Sequence, residues 1–285
     1  MNNAAVLAPP GADPVEALIR SIRIPPRPSL LANLQGELAS DEPSLDAIGR
    51  IIVSDVGIAA ALLKLANSSF YGGQRKAKSV DQAIALLGID QVAALMTGLL
   101  ARQAIGADNA ALAAFWDLST RRAQAMVFLA RRLRIGAPDV AHTFGLFCDT
   151  GVALLLGRFD DYAATLALAG ADLTRCFSDI EDRRHGTNHV AIGCLLARNW
   201  GLPQGVYWAI LHHHDYAVID DAASDDAVRS LVALSLLAER ALQAYQGHRE
   251  SPEWNKGGER ACAYLGLSDD EATDLLDQLL DCFAE

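Results

Sequence analysis

Residues 185–215 read HGTNHVAIGCLLARNWGLPQGVYWAILHHHD. Asn188 can cap a helix whose apolar residues recur at helical spacing as far as Trp200, and Gly201-Leu202-Pro203 stops it. A second helix is predicted over 206–214. Neither segment shows the alternation of a strand. Five of the seven histidines fall between His185 and His214; three are consecutive, His212-His213-His214, and Asp215 follows. Imidazoles beside a carboxylate are what zinc, iron and manganese sites are made from. The stretch that sets the fold therefore also poses the functional question.

The helical pattern extends both ways. Toward the N-terminus, Ile24-Pro25-Pro26-Arg27-Pro28 must be extended, because proline fixes its own φ and disfavours helix in the residue before it. Ser29 can then cap a helix to Leu38, Ser44 the next, and Asp55 one that ends near Asn67. Ser79 and Gln82 have capping-box spacing and open a helix through Leu87 that stops at Gly88; Asp90 can cap another through Leu100. Further on, 115–133 is amphipathic, 143–156 is strongly apolar around Asp149, and 228–245 is helical after an acidic loop over 215–227. Ser268 and Glu271 form a second capping box. It opens a helix with Leu275, Leu276, Leu279, Leu280 and Phe283 on one side. That last segment has seven acidic residues and no Lys or Arg; its apolar stripe is expected to dock on the protein's own core, the alternative being a partner site. The fold class is all-α, with a flexible tail over 1–14 and no internal repeat.

Composition narrows the function. Of 285 residues, 51% are hydrophobic, so the chain is not disordered. A net charge of -11 repels phosphate backbones and argues against nucleic-acid binding. The local basic groups (Arg20, Arg23 and Arg27; Arg75, Lys76 and Lys78; Arg121 and Arg122; Arg131, Arg132 and Arg134) read as solvated helix faces. Five cysteines without a CxxC pair point to reduced thiols. With no basic, apolar leader and no uncharged apolar run near ~18 residues, the expectation is a cytoplasmic protein with no membrane contact.

Three constellations carry the chemistry. The first is His185, His189 and the 212–214 triplet with Asp149. His185 and His189 would share a face only if one helix covered both, and Gly186 with a cap at Thr187 or Asn188 places His185 before it. At most two of the triplet can face one site. The alternative is a helix junction in which the histidines bond to carboxylates and backbone. The second is Asp149, costly in an apolar run unless paired; it is either an N-cap or a partner of the histidines. The third is Leu65-Ala66-Asn67-Ser68-Ser69-Phe70-Tyr71-Gly72, where Asn67 and Ser68 can satisfy a helix end and turn the chain. Glu181 and Asp182 would be a catalytic pair only beside a substrate cleft. No nucleophile elbow, phosphate loop or dinucleotide fingerprint occurs.

Four blocks in this order resemble the HDOD family, a bacterial regulatory domain related to the HD-type metal phosphohydrolases. They are Ile24 to Pro28 with Pro25 and Pro28; Leu65 to Gly72 with Asn67 and Ser68; SVDQAIALLG ending at Gly88; and Gly186 to Pro203 with Trp200 and Pro203, followed by His213-His214-Asp215. The resemblance implies an N-terminal helical bundle (15–105) packed on an HD-like bundle (106–216), completed by helices over 217–285. It also implies a signalling role without established catalysis. Measured against an HD enzyme, Leu118 stands where the first histidine would be and Cys148-Asp149 where the His-Asp dyad would be, while the late helix around Ser230–Glu239 offers no aspartate. Leucine cannot ligate, and so short a ligand set activates no water. Asp149, His189, His213 and His214 are then relict metal candidates. No resident cofactor is expected, beyond a weakly bound divalent metal.

The leading expectation is a non-catalytic module that binds a regulatory protein partner, with a small ligand between the lobes as modulator. The alternatives are a residual metal-dependent phosphohydrolase on a nucleotide or cyclic dinucleotide, which needs Asp149, His189, His213 and His214 to converge, and an anion sensor charged by Arg121-Arg122 or Arg183-Arg184.

Overall fold

The computed structural model describes residues 22–72, 76–106 and 110–284, and every regular element among them is a helix. The tail expected at 1–14 lies outside the described residues. The first described helices are α1 (Ser29–Leu38), α2 (Leu45–Val53), α3 (Val56–Ala66), the single turn α4 (Ser69–Gly72), α5 (Val80–Leu87) and α6 (Ile89–Ile105). Next come α7 (Ala110–Leu133), α8 (Pro138–Phe147), α9 (Thr150–Leu156), α10 (Tyr162–Ala171), α11 (Phe177–His185), α12 (His189–Asn199) and α13 (Gln204–His212). A 3-10 turn (Tyr216–Ile219), α14 (Asp226–Tyr245), α15 (Pro252–Leu265) and α16 (Asp269–Ala284) complete the chain.

Most predicted caps form. Ser44, Asp55, Ser79 and Asn188 accept from the backbone N–H three residues on, and Ser268 and Glu271 bond reciprocally. Three details differ. Ser29 is already inside α1, with Pro28 in the cap position and no capping bond, because proline's extended ψ suffices to enter the helix. Asp90 lies in the first turn of α6, where it complements the helix dipole, and Gly88 is the cap. Gln82 accepts from Lys78 rather than closing back on Ser79. Gly88 has φ +82°, a left-handed conformation that favours glycine, and there the chain turns by 119° between α5 and α6.

The motif residues act as fasteners. Asn67 uses both ends of its amide on the backbone of Ala77, at 2.7 and 2.8 Å, and Ser68 donates to the Leu65 carbonyl at 2.7 Å. Trp200 is fully buried, packs edge-on against Phe147, and donates its indole N–H to the Pro25 carbonyl at 2.9 Å. Gln35 donates to the Trp200 carbonyl at 3.0 Å. The extended Ile24–Pro28 segment is thereby tied to the end of α12, 175 residues away. α6 packs on α8 with Gly98 against Leu146, and one hydrophobic core runs from Leu31 to Phe283. The stripe on α16 docks on α14 and α7, burying Leu275, Leu276, Leu279 and Phe283 and leaving its aspartates outside. Pro138–Leu156 is the one described stretch long and apolar enough to cross a membrane by length and composition; 67% of it is buried in this core. No disulfide joins the cysteines among the described residues.

His142, on α8, gives this core a pH dependence. It is 3% exposed, its Nδ1 has no hydrogen-bond partner, and burial pushes the ring down to about 4. The folded ring stays neutral while the unfolded one takes a proton below about pH 6.5, so stability present at neutral pH is lost as pH falls from 6.5 toward 4. Chemical denaturation at pH 7 and pH 4.5 should show His142→Leu losing roughly 2 kcal/mol less than the parent. Equal losses would place the titration elsewhere.

Candidate functional site

The site lies where α7, α9, α12, the end of α13 and α14 meet. Chain packing brings the first two groups together. Gly151 crosses the start of α12 so closely that a Cβ there would overlap the His189 carbonyl oxygen, and a Cβ on Gly193 would stand 3.4 Å from the Gly151 nitrogen. Asp149, just before Gly151, is thus held beside His189, the first residue of α12. The apolar run divides at this aspartate into α8 and α9. Asp149 sits in the N-cap position but makes no capping bond. Of its two expected roles, the N-cap is corrected and pairing with the histidines is what the structure shows. α13 ends at His212, which frees His213 and His214 from helical geometry and lets both face inward, while His212 stays 38% exposed near Asp215.

The donors lie close enough together that they could hold one metal ion. One ligand atom from each of Asp149, His189, His213 and His214 lies within 4.8 Å of all the others. His189 Nε2 and His213 Nε2 are 3.3 Å apart, and Asp149 Oδ1 is 3.6 Å from the first and 3.3 Å from the second. Bonds of about 2.0–2.1 Å in a tetrahedron imply ligand separations of about 3.3–3.4 Å. Each ring is oriented from behind. His189 Nδ1 donates to Glu181 at 2.6 Å, His213 Nδ1 to the Ile210 carbonyl at 2.8 Å, and His214 Nδ1 to Glu253 at 2.9 Å. With Nδ1–H committed to acceptors, each neutral ring presents an Nε2 lone pair. Several acceptors around one point repel unless they share a cation, either a metal ion or an extra proton on one ring.

The charges agree with this. Burial pushes the Asp149 carboxyl up, but the Arg122 guanidinium and the His213 and His189 rings outweigh it and hold it well below the usual range. Burial pushes His189 down, but Glu181 and Asp149 prevail and raise it. His214 is driven to about 4 by burial and by the adjacent His213, so it is neutral at pH 7. Burial of Glu253 is outweighed by donors from His214, Lys256 and Tyr216, which hold it at about 2. Glu181, fully buried, is lowered despite burial by His189 and by the Tyr162 hydroxyl.

The second oxygen of Asp149 is already taken. Arg122, on α7, reaches Asp149 Oδ2 at 2.8 Å and Glu239 Oε2, on α14, at 2.9 Å. The Ser230–Glu239 stretch of α14 has no aspartate, and its Glu239 instead helps to bind an internal arginine. Arg121 points away, to Asp117, the Phe283 carbonyl and the Tyr245 ring. Arg183 is exposed and Arg184 pairs with Asp161. Arg121, Arg122 and Arg184 are thus each engaged by a carboxylate.

His185 ends α11 and bonds to Thr165 at 2.8 Å, outside the cluster. Asp215 caps the 3-10 turn. Glu181 and Asp182 do not form a pair: Glu181 supports His189, and Asp182 accepts from Asn188 at 2.9 Å. Among the partners that sequence reasoning missed are Glu253 and Phe177, the latter stacked on His214 at 4.8 Å. No local pattern announces them. They reach the site only through the packing of α11 and α15.

The HDOD domain model matches residues 24–216, more than half of the chain. An uncharacterised Treponema pallidum (strain Nichols) protein is 23% identical over 193 residues, 67% of this chain but 38% of that protein, so the chain spans about two fifths of that relative's length. Among solved structures, an HDOD domain protein of unknown function from Geobacter sulfurreducens superposes with TM-score 0.70 at 21% identity, covering 94% of both chains. A Shewanella amazonensis SB2B protein, described provisionally as a phosphohydrolase, gives TM-score 0.69 at 22% identity over 93% of each. A Marinobacter aquaeolei VT8 protein, described provisionally as acting in signal transduction, gives 0.67 at 22% identity over 94% of this chain and 62% of that one. At these identities the solved structures speak for the fold, and the family match over 24–216 carries the assignment: the chain belongs to the HDOD domain family.

Proposed function

We propose that this protein is a signal-transduction module that works through a protein partner and carries a closed metal site where an enzyme would have its active site. The observation that carries this reading is the Arg122 lock. Asp149 is the one carboxylate among the four candidate ligands, and its outer oxygen is bound to a guanidinium that also engages Glu239. Asp149, His189, His213 and His214 would hold one divalent ion, which bound there would neutralise their converging lone pairs. Four protein ligands close a tetrahedral shell, whereas hydrolytic centres keep a position open for water. Leu118 lines the same cavity and offers no donor. This donor set supports one bound divalent ion, where the sequence led to no resident cofactor beyond a weakly bound divalent metal.

Convergence of the four residues also meets the geometric condition for a residual phosphohydrolase, and a structural relative bears that provisional description. Turnover assays separate the two readings. Protein loaded with Mn2+, Fe2+ or Zn2+ should leave bis(p-nitrophenyl) phosphate and cyclic dinucleotides uncleaved above a metal-only blank. Metal-dependent turnover that disappears in His213→Ala and Asp149→Ala would overturn the proposal.

The support behind the rings is testable apart from activity. Glu181→Gln removes the charged acceptor from His189 Nδ1. It should weaken Zn2+ or Mn2+ binding by about 10–100-fold in competition with a chelating dye, while the far-ultraviolet spectrum stays the same. Unchanged affinity would show that the charge of Glu181 does not support the site.

A further inference from the structure

We infer that the cavity beside the histidine cluster binds a small, mainly apolar molecule whose polar end donates a hydrogen bond. The inference rests on the proposed site only in sharing its floor. The cavity has a volume of ≈440 Å³ and extends from Asp149 and the histidines outward between α7, α10 and α14. Its walls are aliphatic and aromatic, with Leu118, Val152, Leu156, Leu166 and Leu236 among them. Exposed Ala111, Ala114 and Gly170, all small, stand at its rim and leave an entrance. This size and character suit a ligand of fragment to drug size.

Two unmet hydrogen-bonding groups in the wall indicate the polar end. Ser119 is 1% exposed, and its hydroxyl oxygen has no partner. Gln243 donates its amide nitrogen to Glu239 at 3.1 Å, which fixes the amide orientation and leaves the buried Oε1 as an acceptor without a donor. A buried polar atom left without a partner is costly, so a ligand that supplies a donor recovers part of that cost. An anionic head finds no complement here. Arg122 is committed to two carboxylates, Lys256 is paired with Glu253, and Asp149, Glu239 and Glu253 all line the cavity. The ligand is therefore a neutral donor, an alcohol or an amide, on an apolar body.

The test uses the full chain with 1-decanol as probe, decanoate as the anionic counterpart, and the cavity-filling variants Leu166→Trp and Val152→Phe. The expected result is saturable binding of one 1-decanol per chain, read by titration calorimetry and by a rise in Tm. Decanoate should bind at least tenfold more weakly. Binding should vanish in whichever filled variant keeps the parent's circular dichroism spectrum, and that variant should retain the parent's metal content. Absence of 1-decanol binding, or equal binding by the filled variants, would overturn the inference. Decanoate binding as tightly as the alcohol would overturn its assignment of the head. Metal content, measured on the same samples, reports separately on the metal centre: its loss everywhere would remove the proposed ion without touching the cavity.

Discussion

Replacing Arg122 with methionine is expected to destabilise the fold by about 3–5 kcal/mol, the usual cost of removing one partner from a buried ion group. The methionine keeps most of the volume, so the loss reports the charge. Asp149 and Glu239 would be left facing each other in an apolar cavity with the guanidinium gone, their side chains 24% and 31% exposed. Urea denaturation followed by circular dichroism gives the number. Arg121→Met is the control one residue away, where a surface contact to Asp117 and a bond to the Phe283 carbonyl should be worth about 1 kcal/mol. The double variant Arg122→Met with Glu239→Met should recover part of the loss, because it removes one of the stranded carboxylates. A single-variant loss under about 1 kcal/mol would mean that the arginine does not lock the site.

Gly151→Ala is the second large effect. Its new methyl group would meet the backbone carbonyl of His189, which cannot swing aside as a long side chain would. α9 and α12 must separate, at a cost of about 3 kcal/mol, the upper part of the range for overpacked cores. The separation moves Asp149 away from His189, so any ion held by the four ligands should be lost along with the stability. Gly36→Ala is the opposite case. Gly36 lies in α1 with nothing near its would-be Cβ, and alanine there should add about 0.5–1 kcal/mol. Denaturation midpoints of the two variants should move in opposite directions. A Gly151→Ala protein as stable as the parent would contradict the close crossing on which the site depends.

Much of the fold was legible because its signals are local. Ser44, Asp55, Ser79, Asn188 and Ser268 bond to amides three residues away, and residue type with spacing is enough to foresee that. The histidine cluster was legible as composition, and Asp149 as a carboxylate too costly to leave unpaired in an apolar run. Their partners were not. Arg122 and Glu239 are 117 residues apart, and Glu253 meets His214 across 39, distances at which single-sequence spacing carries no geometry. Helix-face reasoning held only to its limit: it allowed two of three consecutive histidines to face one site, and they do so because α13 stops at His212. That Trp200 and Pro25 belong together was not legible: one was read as a helix end and the other as part of an extended segment, and the resemblance marked both. Packing supplies the reason, an indole N–H on a proline carbonyl that joins the Ile24–Pro28 segment to the end of α12.

The claim most in need of a direct test is that Asp149, His189, His213 and His214 hold one divalent ion. Elemental mass spectrometry of untagged, freshly purified protein measures it. Close to one zinc, iron or manganese per chain, lost in His213→Ala and His214→Ala variants that keep their helical spectrum, is the predicted result. Parent protein with no more metal than those variants would contradict the claim and leave the cluster as a hydrogen-bonded helix junction.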